Sequence, residues 1–326
     1  MKKIITVLAA AAIAAGCFCG CSGADKPANT GKLQIVTTIF PEYDWVNNIL
    51  GNNPAGAEVT MLMNNGTDLH SFQPTASDIL KISSCDLFIY VGGESDEWVE
   101  DVLKEAVNKD MAVINLLDEL GESVKEEEII EGMQAEEEEE EGEEEGTEYD
   151  EHVWLSVKNA VVLVNSISDA IQNIDPSNAE TYKSNTSSYI DKLNVLDVNY
   201  QAVVDNASVK TLLFGDRFPF RYLVDDYGLD YYAAFVGCSA ESEASFETIT
   251  FLSKKADELS LPAVITIEGS DQRIAKTIVE NTASKDQKII SIDSMQSVTS
   301  QDVKDGATYI SIMGGNLETL KSALGY

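Results

Sequence analysis

The chain has 326 residues, 22 Lys+Arg against 56 Asp+Glu, a formal net charge of −34, and only 2 His; 44% of it is apolar. That length fits two domains better than one core, and the apolar fraction is that of a globular protein, not of a disordered chain or a membrane bundle. So negative a chain repels nucleic acid and anionic lipid and admits a cationic ligand.

The N-terminus reads Met1-Lys2-Lys3, then an apolar run from Ile4 to Ala15, then Gly16-Cys17. A basic start, about a dozen apolar residues and a small residue before the cut make residues 1–16 a secretory signal, too short to span a bilayer. Cys17 after Ala14-Ala15-Gly16 resembles the lipobox cysteine of bacterial lipoproteins, which is acylated and anchors the mature chain; Cys21 is the alternative. Residues 17–31, small and polar after the anchor, read as a tether. The protein is therefore expected outside the cytoplasm, held by lipid at the bacterial cell membrane. Of the remaining cysteines, Cys85 and Cys238 read as small buried residues; their spacing gives no support for a disulfide.

Apolar runs Leu33–Phe40, Glu58–Met63, Cys85–Val91 and Ala112–Leu116 are strand-like and alternate with helical patterns beginning near Pro41, Thr75 and Glu97. From Glu126 to Glu151 the chain holds 16 acidic residues and no Lys or Arg, which leaves about −18 for the rest. A like-charge block repels itself and has no apolar face, so a disordered loop is expected there, either idle or a weak collector of cations. Ser177 to Asn206 contains neither Gly nor Pro and opens on an S-x-x-E capping box, Ser177 and Glu180. Tyr182, Tyr189, Leu193, Leu196, Tyr200 and Val203 form one helical stripe, so this segment predicts a rigid connecting helix of about 45 Å.

The alternation then resumes, with strands at Lys210–Phe214, Tyr231–Phe235, Ala263–Ile267 and Lys288–Ile292 and helices near 218–227, 245–259 and 273–282. The pattern predicts an α/β protein of two lobes, each a four-stranded, mainly parallel sheet with helices on both faces. The N-terminal lobe is 32–176, the connecting helix 177–206 and the C-terminal lobe 207–326.

No nucleophile elbow, phosphate loop, H-E-x-x-H or C-x-x-C pair occurs after the tether, so nothing argues for an enzyme. His70 and His152 both fall in loops, each with a carboxylate two residues before it, Asp68 and Asp150. Loops beyond the C-terminal ends of parallel strands are where ligands bind, and imidazole with carboxylate suits zinc, manganese or iron(II).

At these residues the chain resembles the zinc/manganese substrate-binding lipoproteins of bacterial ABC importers. His70-Ser71-Phe72-Gln73-Pro74-Thr75-Ala76-Ser77-Asp78 is similar to that family's first metal-binding segment, and Asp150-Glu151-His152-Val153-Trp154-Leu155-Ser156 to its second. Ile290-Ser291-Ile292-Asp293-Ser294-Met295 resembles the segment whose aspartate is a ligand. The resemblance implies a bilobal fold and capture of a divalent metal between the lobes, Zn²⁺ or alternatively Mn²⁺ or Fe²⁺. It further implies delivery to a membrane permease driven by a cytoplasmic ATPase, by a monomer with no nucleic-acid partner. Its ligands here would be His70, His152, Asp293 and a third residue. Arg217 stands at that third position and cannot coordinate, because it stays protonated. Asp216 beside it is the nearest donor, and Glu268 is an alternative. The acidic insert occupies the place where zinc-binding members often carry a His-rich loop. An extracellular metallohydrolase and an adhesion protein with a structural metal are the rival readings.

Overall fold

The computed structural model describes residues 32–134, 148–239 and 243–326; the signal and tether segments and the run Glu136 to Glu141 lie outside them. Leu33–Tyr326 forms one compact unit. Its first sheet comprises β1 (Gln34–Thr37), β2 (Glu58–Met61), β3 (Leu87–Tyr90) and β4 (Ala112–Asn115), all parallel in the order β2-β1-β3-β4. The second comprises β5 (Thr211–Phe218), β6 (Asp230–Val236), β7 (Ala263–Ile267) and β8 (Lys288–Ile292), parallel in the matching order β6-β5-β7-β8. Uninterrupted apolar runs are what strands covered on both faces require, and Leu87, Phe88 and Ile89 of β3 are fully buried. Each sheet reverses its winding direction at a central strand, so loops from the C-terminal ends of the strands frame a crevice.

In the first lobe the helices are α1 (Phe40–Leu50), α2 (Ala76–Ser84), α3 (Trp98–Lys104), α4 (Leu116–Leu120) and α5 (Val157–Ile174). The connecting helix is α6 (Ala179–Asp205). Then follow α7 (Arg221–Tyr227), α8 (Phe246–Glu258), α9 (Arg273–Asn281), α10 (Ser300–Lys304) and α11 (Tyr309–Ala323). The long α5 and α11 carry no expectation from the sequence reading. Both start at a hydroxyl cap, Ser156 and Thr308, whose oxygen accepts an amide of the first turn.

α6 buries the whole expected stripe, Tyr182 through Val203. It starts one residue later than the capping box implies. Ser177 gives its hydroxyl to Asp175, and Asn178 takes the N-cap position without a side-chain cap. At about 1.5 Å per residue its 27 residues make a rod of about 40 Å. Tyr189 Oη donates to Asp44 of α1 (3.1 Å) and Tyr200 Oη to the Met313 carbonyl of α11 (2.7 Å), so the rod is bonded to both lobes. One continuous apolar core holds residues of both sheets, with Trp45 of α1 set edge-on to Tyr309 of α11 at 5.3 Å.

The described flanks of the acidic insert are paired. Glu126 and Tyr149 form an antiparallel bridge, and the Glu127 amide donates to the Glu148 carbonyl at 2.9 Å. This closes the base of the loop and fixes the approach to His152. Among the described residues, no helix is long and apolar enough to cross a membrane.

Candidate metal centre

His70 lies in a short 3₁₀ turn, Leu69–Ser71, beyond β2; His152 caps a second such turn, Val153–Leu155. The aspartate two residues ahead performs the same task in each. Asp68 Oδ1 accepts the His70 amide (3.1 Å) and Asp150 Oδ1 accepts the His152 amide (2.8 Å), the local turn that this spacing favours. Around His152 the loop is bonded to the second lobe. Trp154 Nε1 donates to the Ser294 carbonyl (2.8 Å), Tyr309 Oη to the Trp154 carbonyl (2.7 Å), and Tyr222 Oη to the Asp150 carbonyl (2.7 Å).

The two imidazoles meet with Nε2 atoms 3.2 Å apart. His152 Nδ1 is 2.9 Å from Asp150 Oδ1, and His70 Nδ1 is 2.9 Å from Ser95 Oγ and 3.5 Å from Glu151 Oε2. A carboxylate cannot donate, so Nδ1 of His152 carries the proton and its Nε2 carries the lone pair. On His70, Ser95 and the buried Glu151 oxygen, which has no other partner, favour the same tautomer. Glu151 is itself held by the Ser95 amide at 2.8 Å. Gly93, at φ +78°, makes room for it: a Cβ there would lie 2.4 Å from Glu151 Oε1. Two lone pairs thus converge in a pocket where His152 is fully buried and His70 nearly so.

The surrounding charges make this pair asymmetric. Burial pushes His70 down to about 3, helped by the charge of His152 and opposed by Asp68. Burial also opposes the charged form of His152, but Asp150 beside it outweighs that and raises its pKa. A proton taken up by the pair therefore resides on His152.

Among the described residues, one set of three or more metal-ligating side chains places its donor atoms within 4.8 Å of one another: His70, His152 and Cys238. The sequence reading treated Cys238 as packing. Its signal was positional, one turn past the end of β6, at the sheet edge where the other donor loops gather. Burial, with Glu127 and Asp150 nearby, raises its thiol pKa.

Asp216, Asp293 and Glu268 do not join that set. Asp216, in the irregular stretch of β5 between Phe214 and Arg217, accepts the amides of Arg217 (3.0 Å) and Ile267 (3.4 Å). Glu268, past the end of β7, accepts the Ser294 amide and hydroxyl, each at 2.7 Å. Asp293, past β8, accepts the Met295 amide (2.7 Å), and burial with the Glu268 charge pushes its carboxyl up to about 6. Arg217 points its guanidinium at Asp68 across the crevice, in an ion pair that ties β5 to the His70 loop.

A bilobal α/β framework thus brings an oriented histidine pair, His152 buried and His70 largely so, to the C-terminal edges of its sheets, where ligands of open α/β sheets bind. The chain belongs to the family described as zinc-uptake complex component A, periplasmic, whose profile matches residues 35–323. It is 31% identical over 297 residues to the zinc-binding protein AdcA of Streptococcus pyogenes, covering 89% of this chain and 56% of that one. It is 29% identical over 321 residues to the high-affinity zinc uptake system protein ZnuA of Bacillus subtilis, covering 96% of each. The chain thus spans little more than half the length of the streptococcal relative. The Zn(II)-bound ZnuA-like domain of Streptococcus pneumoniae AdcA superposes with a TM-score of 0.71 at 29% identity, covering 91% of this chain and all of that domain.

Proposed function

We propose that this protein captures zinc between its two lobes as the extracytoplasmic substrate-binding component of an ABC importer. It passes the ion to a membrane permease worked by a cytoplasmic ATPase, and is held at the membrane through an acylated Cys17. The observation that carries the reading is the histidine pair. Two ligands at about 2.05 Å from a tetrahedral zinc lie about 3.3 Å apart, and the Nε2 atoms stand at 3.2 Å. Each ring has its other nitrogen engaged, the arrangement that orients imidazole toward a metal. The zinc-binding names of its relatives support the same cargo. Asp293, which accepts the Met295 amide through one oxygen, is the carboxylate of the opposite lobe best suited to approach the ion, whereas both oxygens of Asp216 and of Glu268 accept hydrogen bonds.

Calorimetric zinc titration of His70→Ala and His152→Ala tests this. Each should lose most of the wild-type affinity, and unchanged affinity in both refutes the site.

A further inference from the structure

We propose that the Cys238 thiolate is the third ligand of the bound metal, giving a donor set of two imidazoles and one sulfur. The inference rests on the zinc site proposed above and names a ligand that neither the sequence motifs nor the position of Arg217 supplies.

Four observations converge on this sulfur. Its Sγ lies within 4.8 Å of a ring nitrogen of each histidine. With Zn–S at about 2.3 Å and Zn–N at about 2.05 Å, tetrahedral angles require an S···N separation of about 3.6 Å. Donors within 4.8 Å are thus about 1 Å from that separation. Second, Gly237 leaves the approach open. A Cβ there would sit 3.1 Å from His152 Cε1 and 3.0 Å from the Phe218 carbonyl, so any larger residue would press on the imidazole by a few tenths of an ångström.

Third, the residue is held from behind, its amide donating to Glu127 Oε1 at 3.0 Å. Fourth, the neighbouring strand lacks the donor. In the parallel register, Arg217 and Phe218 of β5 face Phe235 and Val236 of β6, so Cys238 emerges at the same sheet edge, one strand over from Arg217. Arg217 is occupied by Asp68. The third donor has moved from β5 to the end of β6.

Ligation breaks the S–H bond and forms Zn–S, with the proton leaving to solvent past the Glu127 carboxylate; no electron is transferred. A thiolate is a soft, singly charged donor. It favours zinc over manganese(II), which prefers oxygen, more strongly than a third carboxylate would.

Cobalt(II) is the spectroscopic probe, because a Co–thiolate bond gives a near-ultraviolet charge-transfer band that imidazole and carboxylate ligands do not. Wild-type protein titrated with Co²⁺ should show that band, and Cys238→Ser should lose it while keeping the metal-free circular dichroism and melting temperature. Zinc affinity of Cys238→Ser should fall by about tenfold or more. Cys238→Asp should retain binding but lose much of the zinc-over-manganese preference. An unchanged cobalt spectrum and zinc affinity in Cys238→Ser, alongside loss of binding in His70→Ala, overturns the thiolate ligand and leaves the zinc site standing. Retained binding in both histidine variants overturns the site itself.

Discussion

Replacing Asp150 by Asn isolates the contribution of one hydrogen bond to metal affinity. Asp150 touches no ion directly; its Oδ1 accepts from both the amide and Nδ1 of His152, at 2.8 and 2.9 Å. Both residues are almost wholly buried, at 2% and 0% exposure, so water cannot replace the carboxylate. Asparagine keeps the shape and removes the charge. If its amide turns its NH₂ toward Nδ1, the imidazole must carry its proton on Nε2, and the metal-facing lone pair is gone. Partners of this kind are worth about 10–100-fold in metal affinity, or about 1.4–2.7 kcal/mol. The assay is zinc competition against a chromophoric chelator at fixed pH, with melting of the metal-free protein as the fold control. A variant that melts normally and binds zinc within about twofold of wild type would show that Asp150 does not orient the ligand.

Two further outcomes concern stability. Trp154→Phe removes the buried donor to the Ser294 carbonyl, a bond spanning 140 residues between the lobes, and leaves that carbonyl unpaired; urea denaturation should register a loss of about 1–3 kcal/mol. Asp44 is buried and pushed up to about 6, against the lowering contributed by Tyr189. Its folded pKa exceeds the unfolded value near 3.8, so the folded state binds the extra proton and stability falls as pH rises from about 4 to 6. The difference amounts to about 3 kcal/mol. Asp44→Asn should flatten that part of the stability–pH curve, and an unchanged slope in urea melts at pH 4 and pH 7 would refute the assignment.

The central strands were legible because strands buried on both faces must be apolar without interruption, and Cys85–Val91 or Ala263–Ile267 admit little else; β2, β4 and β8, part-exposed at Glu58, Val113 and Lys288, were legible from their alternation with helical patterns. The histidines were legible for a different reason. With two in the chain, each in a loop behind an aspartate, composition singled them out. The α6 stripe was equally plain, but its first turn was not. The choice between Ser177 and Asn178 as cap was decided by Asp175, which takes the Ser177 hydroxyl, Asn178 Nδ2 and Tyr182 Oη together. Cys238 carried only a positional signal, just past a strand end, because its neighbours in space, His70 and His152, lie 168 and 86 positions away in sequence. The charge pattern predicted a disordered loop over 126–151, whereas the described flanks of that stretch are paired and bonded. Glu127 and Glu128 at its base are bound to the Cys238 amide and to Arg221 of the second lobe.

Arg217 is the residue that most alters how this centre works. A guanidinium near the two imidazoles disfavours a cation between them, and the same charge opposes protonation of each ring. On His70, lowered overall, that second effect helps keep the ring free of protons and its lone pair available, whereas on His152 Asp150 outweighs it. The carboxylates Asp68, Asp150 and Glu151 around the pair offset the added positive charge. Arg217 also binds Asp68, the residue that fixes the His70 turn, so strand β5 holds the first histidine in place from the opposite lobe. Under the zinc site proposed above, the third position of the motif serves positioning and not coordination. A site that gives up one imidazole in this way needs another anionic or soft donor within reach, and the sulfur one strand over is placed to provide it.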